Sequence, residues 1–185
     1  MSVMIEESVS HNKPSGYSYF VAADFSGVYA GEYPMWTWSE SQGREKLAQY
    51  LNFGIRCFLD LTMPGEMPPY QPYLPADGHR YSFPIVNGGI PSDVESVVKL
   101  FQQLEKHLVE TNERLYIHCV GGVGRTGTIV TCYYIYFHHL SANDALAKMR
   151  NNYASHERAA WMSAPETQSQ LDYIFKFAST YQEYK

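Results

Sequence analysis

His118-Cys119-Val120-Gly121-Gly122-Val123-Gly124-Arg125-Thr126-Gly127 is the stretch from which the rest of the chain is read. It follows a short apolar run, Leu115-Tyr116-Ile117, suited to a buried strand, and precedes a long apolar segment that reads as a helix. The stretch is therefore a strand-loop-helix junction. A loop that ends at a helix N-terminus aims unpaired backbone N–H groups and the positive end of the helix dipole into its own bowl, which suits a tetrahedral oxyanion. Four glycines within seven residues let successive amides converge on one anion. The amides of Val120, Gly121, Gly122, Val123, Gly124 and Arg125 are thus the expected phosphate-binding groups.

Cys119 opens this loop and Arg125 closes it six positions later. The thiolate is the reactive form of cysteine, and convergent amides, a helix N-terminus and a nearby Arg all favour it. Arg also grips two phosphate oxygens at once, as Lys does not. Thr126 offers a hydroxyl to the sulfur or to the leaving phosphate. His118, at a strand end, is expected to point away from the bowl and orient the loop through its ring. Cys-x5-Arg followed by Thr-Gly resembles the signature of cysteine-dependent protein tyrosine and dual-specificity phosphatases. Ala30-Gly31-Glu32-Tyr33-Pro34 and Gly65-Glu66-Met67-Pro68-Pro69-Tyr70 are similar to text in small bacterial dual-specificity phosphatases.

The chain order agrees with an α/β fold. Runs at Tyr19–Ala22 and Val28–Ala30, separated by Asp24, Ser26 and Gly27, predict a hairpin. A helix is expected from about Ser39 to Phe53 with Leu47, Tyr50 and Leu51 inward, then a buried strand over Ile55–Leu61. Met63 to Gly78 is a proline-rich loop, long enough to form a lid or site wall, with Tyr70 and Tyr73 as possible wall residues. A strand follows over Tyr81–Ile85. Ser92 with Glu95 reads as a capping box for the next helix. Ser141 with Asp144 starts another, and Ser163 with Glu166 and Pro165 the last, whose inner face is read as Leu171, Ile174, Phe175 and Ala178. The resemblance implies a phosphatase-like single domain over residues 19–185, with a central, mostly parallel twisted sheet flanked by helices on both faces. Residues 1–18 read as a poorly ordered leader.

The 185 residues suit one domain, and 45% hydrophobic with 18% charged residues is an ordinary globular composition. The 16 tyrosines and 9 phenylalanines are read mainly as core and groove walls. A net charge of −5 without a basic run argues against nucleic acid, so the attraction for phosphate has to be local. The sequence contains neither a membrane-length apolar run nor a signal-peptide pattern. Cys57, Cys119 and Cys132 are an odd number without metal-ligand spacing, so neither a disulfide framework nor a metal is expected. The expected setting is the cytoplasm, the expected state a monomer, and no cofactor is called for. A disulfide between Cys57 and Cys119 after oxidation is a weaker alternative to Cys57 simply packing in its strand.

The family mechanism attacks phosphorus with the cysteine thiolate while an Asp about thirty residues earlier protonates the leaving oxygen. Here the matching text is Pro84-Ile85-Val86-Asn87-Gly88-Gly89-Ile90-Pro91, with an amide at the acid position. Asn87 can hydrogen-bond the leaving oxygen but cannot give it a proton. An engineered substrate trap, a natural weak relative, or another acid among Glu66, Asp77 and Asp93 would each account for it. Glu166-Thr167-Gln168-Ser169-Gln170 is similar to the Gln-Thr-x-x-Gln element that positions the hydrolytic water in some tyrosine phosphatases, which leaves Gln170 as the match. Arg150 and Arg158 are read as surface residues able to reach substrate. The expected substrate is a phosphorylated protein or peptide, on phosphotyrosine and by extension phosphoserine or phosphothreonine, since the loop lacks the lysine common in phosphoinositide enzymes. A module that binds phosphotyrosine without turnover is the competing function, and rhodanese-type sulfur transfer leaves Arg125-Thr126-Gly127 unexplained.

Overall fold

A computed structural model describes residues 12–182. Strands β1 (Ser18–Ala22), β2 (Val28–Gly31), β3 (Ile55–Asp60), β4 (His79–Ser82) and β5 (Arg114–His118) form one sheet in the order β1-β2-β5-β3-β4. Only the β1–β2 hairpin is antiparallel, and β5 lies between β2 and β3, parallel to both. The helices are α1 (Glu40–Asn52), α2 (Val94–Thr111), α3 (Gly124–Phe137), α4 (Ala142–Tyr153) and α5 (Gln168–Gln182).

Side chains alternate across a strand, so the central β5 serves two cores. Leu115, Ile117 and Cys119 join the larger cluster, built with α2, α3, α4 and α5, whereas Tyr116 joins a smaller one with Tyr50 of α1, Phe58 and Tyr70. Helices therefore cover both faces, as expected. Helix α3 is buried from Gly124 to Ile135, and its threonines satisfy themselves within the helix: Thr128 Oγ1 donates to Gly124 O at 2.8 Å and Thr131 Oγ1 to Gly127 O at 2.7 Å. Each fully buried large aliphatic such as Ile129 contributes about 2 kcal/mol, so this helix anchors the loop before it.

Several expectations need correction. The strand expected at Tyr81–Ile85 lies at His79–Ser82, because Pro84 has no N–H for the ladder; Phe83 N and Ile85 N still donate to Asp60 O and Leu61 O. Helix α2 is capped by Asp93, whose carboxylate accepts from Ser96 N at 2.6 Å, in place of the Ser92–Glu95 box. Helix α5 begins at Gln168, and the Thr167 hydroxyl accepts from Gln170 N at 3.3 Å, so the Ser163–Glu166 box was a false signal. On α5 the buried residues are Tyr173, Ile174 and Phe177 and Phe175 is exposed, while Leu51 of α1 is only half-buried. Most of the expected leader, residues 1–11, lies outside the described residues. Its end is tied down: Lys13 donates to Ser155 O, the Ser15 and Tyr50 hydroxyls are 3.1 Å apart, and Ser18 already belongs to β1.

Candidate active site

The loop from Cys119 to Arg125 sits at the carboxyl end of β5, clamped by its neighbours. Leu61 N donates to His118 O at 2.9 Å and Tyr33 N to Val120 O at 2.8 Å. Gly122 has φ +74°, and a Cβ there would lie 2.3 Å from the Gly31 carbonyl carbon, so the loop presses backbone to backbone against the end of β2. Gly122 N donates to Cys119 Sγ at 3.3 Å. The N-cap of α3, Val123, gives no side-chain bond to the first turn, whose amides remain available for an anion.

His118 is fully buried on the opposite face of β5 from Cys119, as expected. Its Nε2 lies 2.9 Å from the Tyr70 hydroxyl and its Nδ1 3.3 Å from Cys119 O. Burial holds its pKa below the usual histidine value despite Asp60 nearby, with Oδ1 3.9 Å from Nδ1. The ring thus bridges the Cys119 carbonyl and the Tyr70 hydroxyl. Asp60 is buried as well, and burial alone would raise its pKa. The proximity of His118, bonds from Thr62 N (2.9 Å) and Thr62 Oγ1 (2.7 Å), and Arg80 at 2.9 Å outweigh that and hold it low. Tyr70, Asp60 and Arg80 thus brace the loop from below. Tyr73, the other tyrosine expected in the wall, instead donates to Glu40 at 2.5 Å.

Arg125 is buried, and its two terminal nitrogens meet the two oxygens of Glu66 at 2.8 and 2.7 Å. Nη1 also donates to Ile85 O at 3.0 Å, and Nη2 to Asn87 Oδ1 at 3.4 Å. Burial opposes the guanidinium charge, but Glu66 and Cys119 more than compensate, raising its pKa further. The hydrogen bond from Arg125 is the main reason the Glu66 carboxyl lies below its usual range, which makes Glu66 a poor proton donor. A cavity of about 230 Å³ brings together Cys119, Val120, Gly121, Val123, Arg125, Asn87 and Glu66. Gly122 faces Gly31 instead, and Gly124 faces Glu166 and Gln170. The Thr126 hydroxyl is buried and has no hydrogen-bond partner among the described residues.

The other proposed acids lie elsewhere. Asp77 pairs with Arg56 at 3.0 Å, and Asp93 caps α2, held low first by the bond from Ser96 N. Gln170 is buried, with Oε1 accepting from Glu166 N (2.9 Å) and Thr167 N (3.2 Å) and Nε2 donating to Gly89 O at 3.1 Å. It fastens the start of α5 to the loop that carries Asn87. The remaining wall is Trp36, Arg158, Met162 and Glu166. Arg158 is not a free surface arginine: its guanidinium lies over Trp36 at 4.4 Å and Tyr17 at 5.2 Å and pairs with Glu32 at 3.3 Å. Arg150 instead donates to Ala164 O at 3.2 Å. Trp36 carries no motif in the sequence, whereas Glu166 stands where the Gln-Thr-x-x-Gln resemblance has its first glutamine.

A cysteine under a glycine-rich loop, closed by a buried arginine between a parallel strand and a covered helix, defines the class of cysteine-dependent phosphatase folds. The family model for the DSP-PTPase phosphatase domain of Swiss Army Knife proteins, PTP-SAK, matches residues 32–172, and the chain belongs to that family. Among curated relatives, a protein of Invertebrate iridescent virus 6 that carries a tyrosine-phosphatase name (197R) is 27% identical over 66% of this chain and 43% of its own length. Cyclin-dependent kinase inhibitor 3 of Sus scrofa is 30% identical over 67% of this chain and 58% of its own. The chain therefore spans less than two thirds of these relatives. Among solved structures, Tk-PTP in its active form has a TM-score of 0.65 at 21% identity, covering 88% of this chain and 97% of that one. PTPMT1 in complex with PI(5)P has 0.68 at 18% identity, covering 91% and 98%. No helix among the described residues is long and apolar enough to cross a membrane.

Proposed function

We propose that the chain, from about Tyr19 onward, is a phosphoprotein phosphatase that works through a cysteinyl-phosphate and favours phosphotyrosine. The observation that carries this reading is that one cavity holds the Cys119 sulfur, the Arg125 guanidinium and Asn87. The Cys119 thiolate attacks phosphorus in line, forming the S–P bond as the P–O ester bond breaks. Val120–Arg125 amides and the Arg125 side chain balance the charge on the transferring group. The leaving oxygen takes its proton from water, because Asn87 has none to give. Water then attacks the phosphocysteine, the S–P bond breaks, and the thiolate returns. Glu166, which lines the cavity, accepts the proton of that water, while Gln170 positions Glu166 through its backbone. We assign the Thr126 hydroxyl, buried and without a hydrogen-bond partner among the described residues, to the departing sulfur. The mechanism needs neither metal nor cofactor.

Lack of a general acid has a direct consequence for substrate choice. A phenol, with a pKa of about 10, leaves far more readily as an anion than an alkyl alcohol, so phosphotyrosine is turned over faster than phosphoserine or phosphothreonine. We place the enzyme as a monomer in the cytoplasm, where a thiol nucleophile stays reduced. The test is phosphate release from matched phosphotyrosine and phosphoserine peptides and from a phosphoinositide headgroup. Equal rates on the two peptides, or a preference for the headgroup, would refute this substrate assignment. Asn87 also supports a second reading, a phosphotyrosine-binding module with little turnover; tight equilibrium binding without release would favour it.

A further inference from the structure

We propose that Cys57, His107 and Glu113, with His79 as a fourth ligand, form a zinc site separate from the catalytic loop. The four residues lie at the other end of the sheet. Cys57 and His79 are register partners on the adjacent parallel strands β3 and β4, whereas Asp60, three residues along β3, is the partner of His118. Register partners on parallel strands present their side chains to the same face. His107 belongs to the last turns of α2, and Glu113 follows Asn112, whose left-handed backbone (φ +52°) ends that helix and turns the chain toward β5.

The donors are already gathered. Cys57 Sγ, a His107 ring nitrogen and a Glu113 carboxylate oxygen all lie within 4.8 Å of one another. His107 Nε2 is 2.9 Å from Glu113 Oε2, His79 Nε2 is 3.5 Å from Glu113 Oε1, and the two imidazole rings are 4.6 Å apart. Zinc bonds of about 2.0–2.3 Å in a tetrahedron put donors about 3.3–3.6 Å apart, so the three need close in by at most about 1.5 Å. The set of one thiolate, two imidazoles and one carboxylate suits zinc better than magnesium or calcium, which prefer oxygen alone. His79 is 43% exposed at its side chain and provides both a ligand able to turn inward and the entry path.

A divalent ion bound here would take Cys57 as its thiolate: the Sγ–H bond breaks, the S–Zn bond forms, and the proton goes to solvent. None of the four residues touches the catalytic cavity. An adventitious His–Glu pair beside a packed cysteine is the alternative, and it predicts no saturable metal binding.

Zinc titration of the metal-free protein, followed by calorimetry, tests the site in a Cys119→Ser background so that the catalytic thiol cannot compete. We expect one zinc per chain, about one proton released on binding near neutral pH, and a rise in melting temperature with added zinc. Cys57→Ser should weaken binding at least a hundredfold, and His107→Gln and Glu113→Gln at least tenfold. The last two alter half-buried side chains and keep the test valid should Cys57→Ser fail to fold. Cobalt should give a thiolate charge-transfer band that is lost in Cys57→Ser. No stoichiometric binding, or binding that these substitutions leave unchanged, would overturn the proposal.

Discussion

Replacing Asn87 by Asp asks whether the cavity lacks only a proton donor. Asn87 Oδ1 stands 3.4 Å from Arg125 Nη2 and lines the same cavity as Cys119, so a carboxyl there faces the leaving group without any movement of the loop. A positioned general acid contributes about 10²- to 10⁴-fold. The surroundings favour the lower part of that range. Arg125 at this distance favours the ionised Asp, and Glu66, on the same guanidinium, offsets only part of the effect. We expect turnover of phosphotyrosine peptides to rise about 10²-fold, a barrier lower by about 3 kcal/mol, and that of phosphoserine peptides to rise more. The gain belongs to the protonated acid, so it is present below the new carboxyl's pKa and falls about tenfold per pH unit above it. The assay is kcat against pH for both peptides, in both proteins. If Asn87→Asp is no faster on either peptide and the pH profiles coincide, position 87 is not the acid site and the mechanism above is wrong.

Other substitutions test the remaining parts. Cys119→Ser should abolish phosphate release and leave equilibrium phosphate binding nearly unchanged, because the amide cradle survives; retained turnover would remove Cys119 from the mechanism. Arg125→Lys should lower kcat/KM at least about 10²-fold, since an ammonium cannot reproduce the paired contacts, and near-normal kinetics would refute the loop geometry. Asp60→Asn strands Arg80 beneath the loop and should cost about 3 kcal/mol in urea unfolding, while a change under about 0.5 kcal/mol would show that the brace is unimportant. His156, buried against Tyr153, is lowered to about 4 by burial and then by Arg158, and His118 is lowered by burial. From about pH 6.5 down to about 4 the unfolded chain binds a proton at His156 that the native state refuses. Unfolding free energy should therefore decline on acidification across that window, by up to about 1.4 kcal/mol per pH unit for His156, with His118 acting in the same direction, and His156→Gln should flatten the slope.

The cysteine, the arginine and the strand-loop-helix junction were legible because they are local: seven residues and a change of hydrophobic period carry them. Ser39 and Ser141 were legible as helix starts for the same reason, and each proves to be an N-cap. The brace beneath the loop was not. Tyr70 meets His118 across 48 positions, and Arg80 meets Asp60 across 20, so no spacing announces either pair. Glu66 was noticed as a possible acid but not as the partner of Arg125, a contact spanning 59 positions. The start of α5 was misread because Ser163 and Glu166 satisfy a short polar pattern that Thr167 fulfils in space. Cys57 gave no sign of the proposed site because His107 and Glu113 come from a helix and a turn that meet it only in the fold.

The tie between α5 and the Asn87 loop also bears on time. Gln170 Nε2 holds Gly89 O at 3.1 Å and Thr167 Oγ1 holds Gly88 O at 3.4 Å, while Gln170 Oε1 secures the backbone at the helix start. Swinging this loop outward would break these bonds and fray the first turn of α5 together. The entrance is then a fixed aperture rather than a door. Phosphate should enter in a single concentration-dependent step, with an observed rate that climbs linearly and shows no plateau from a preceding conformational change.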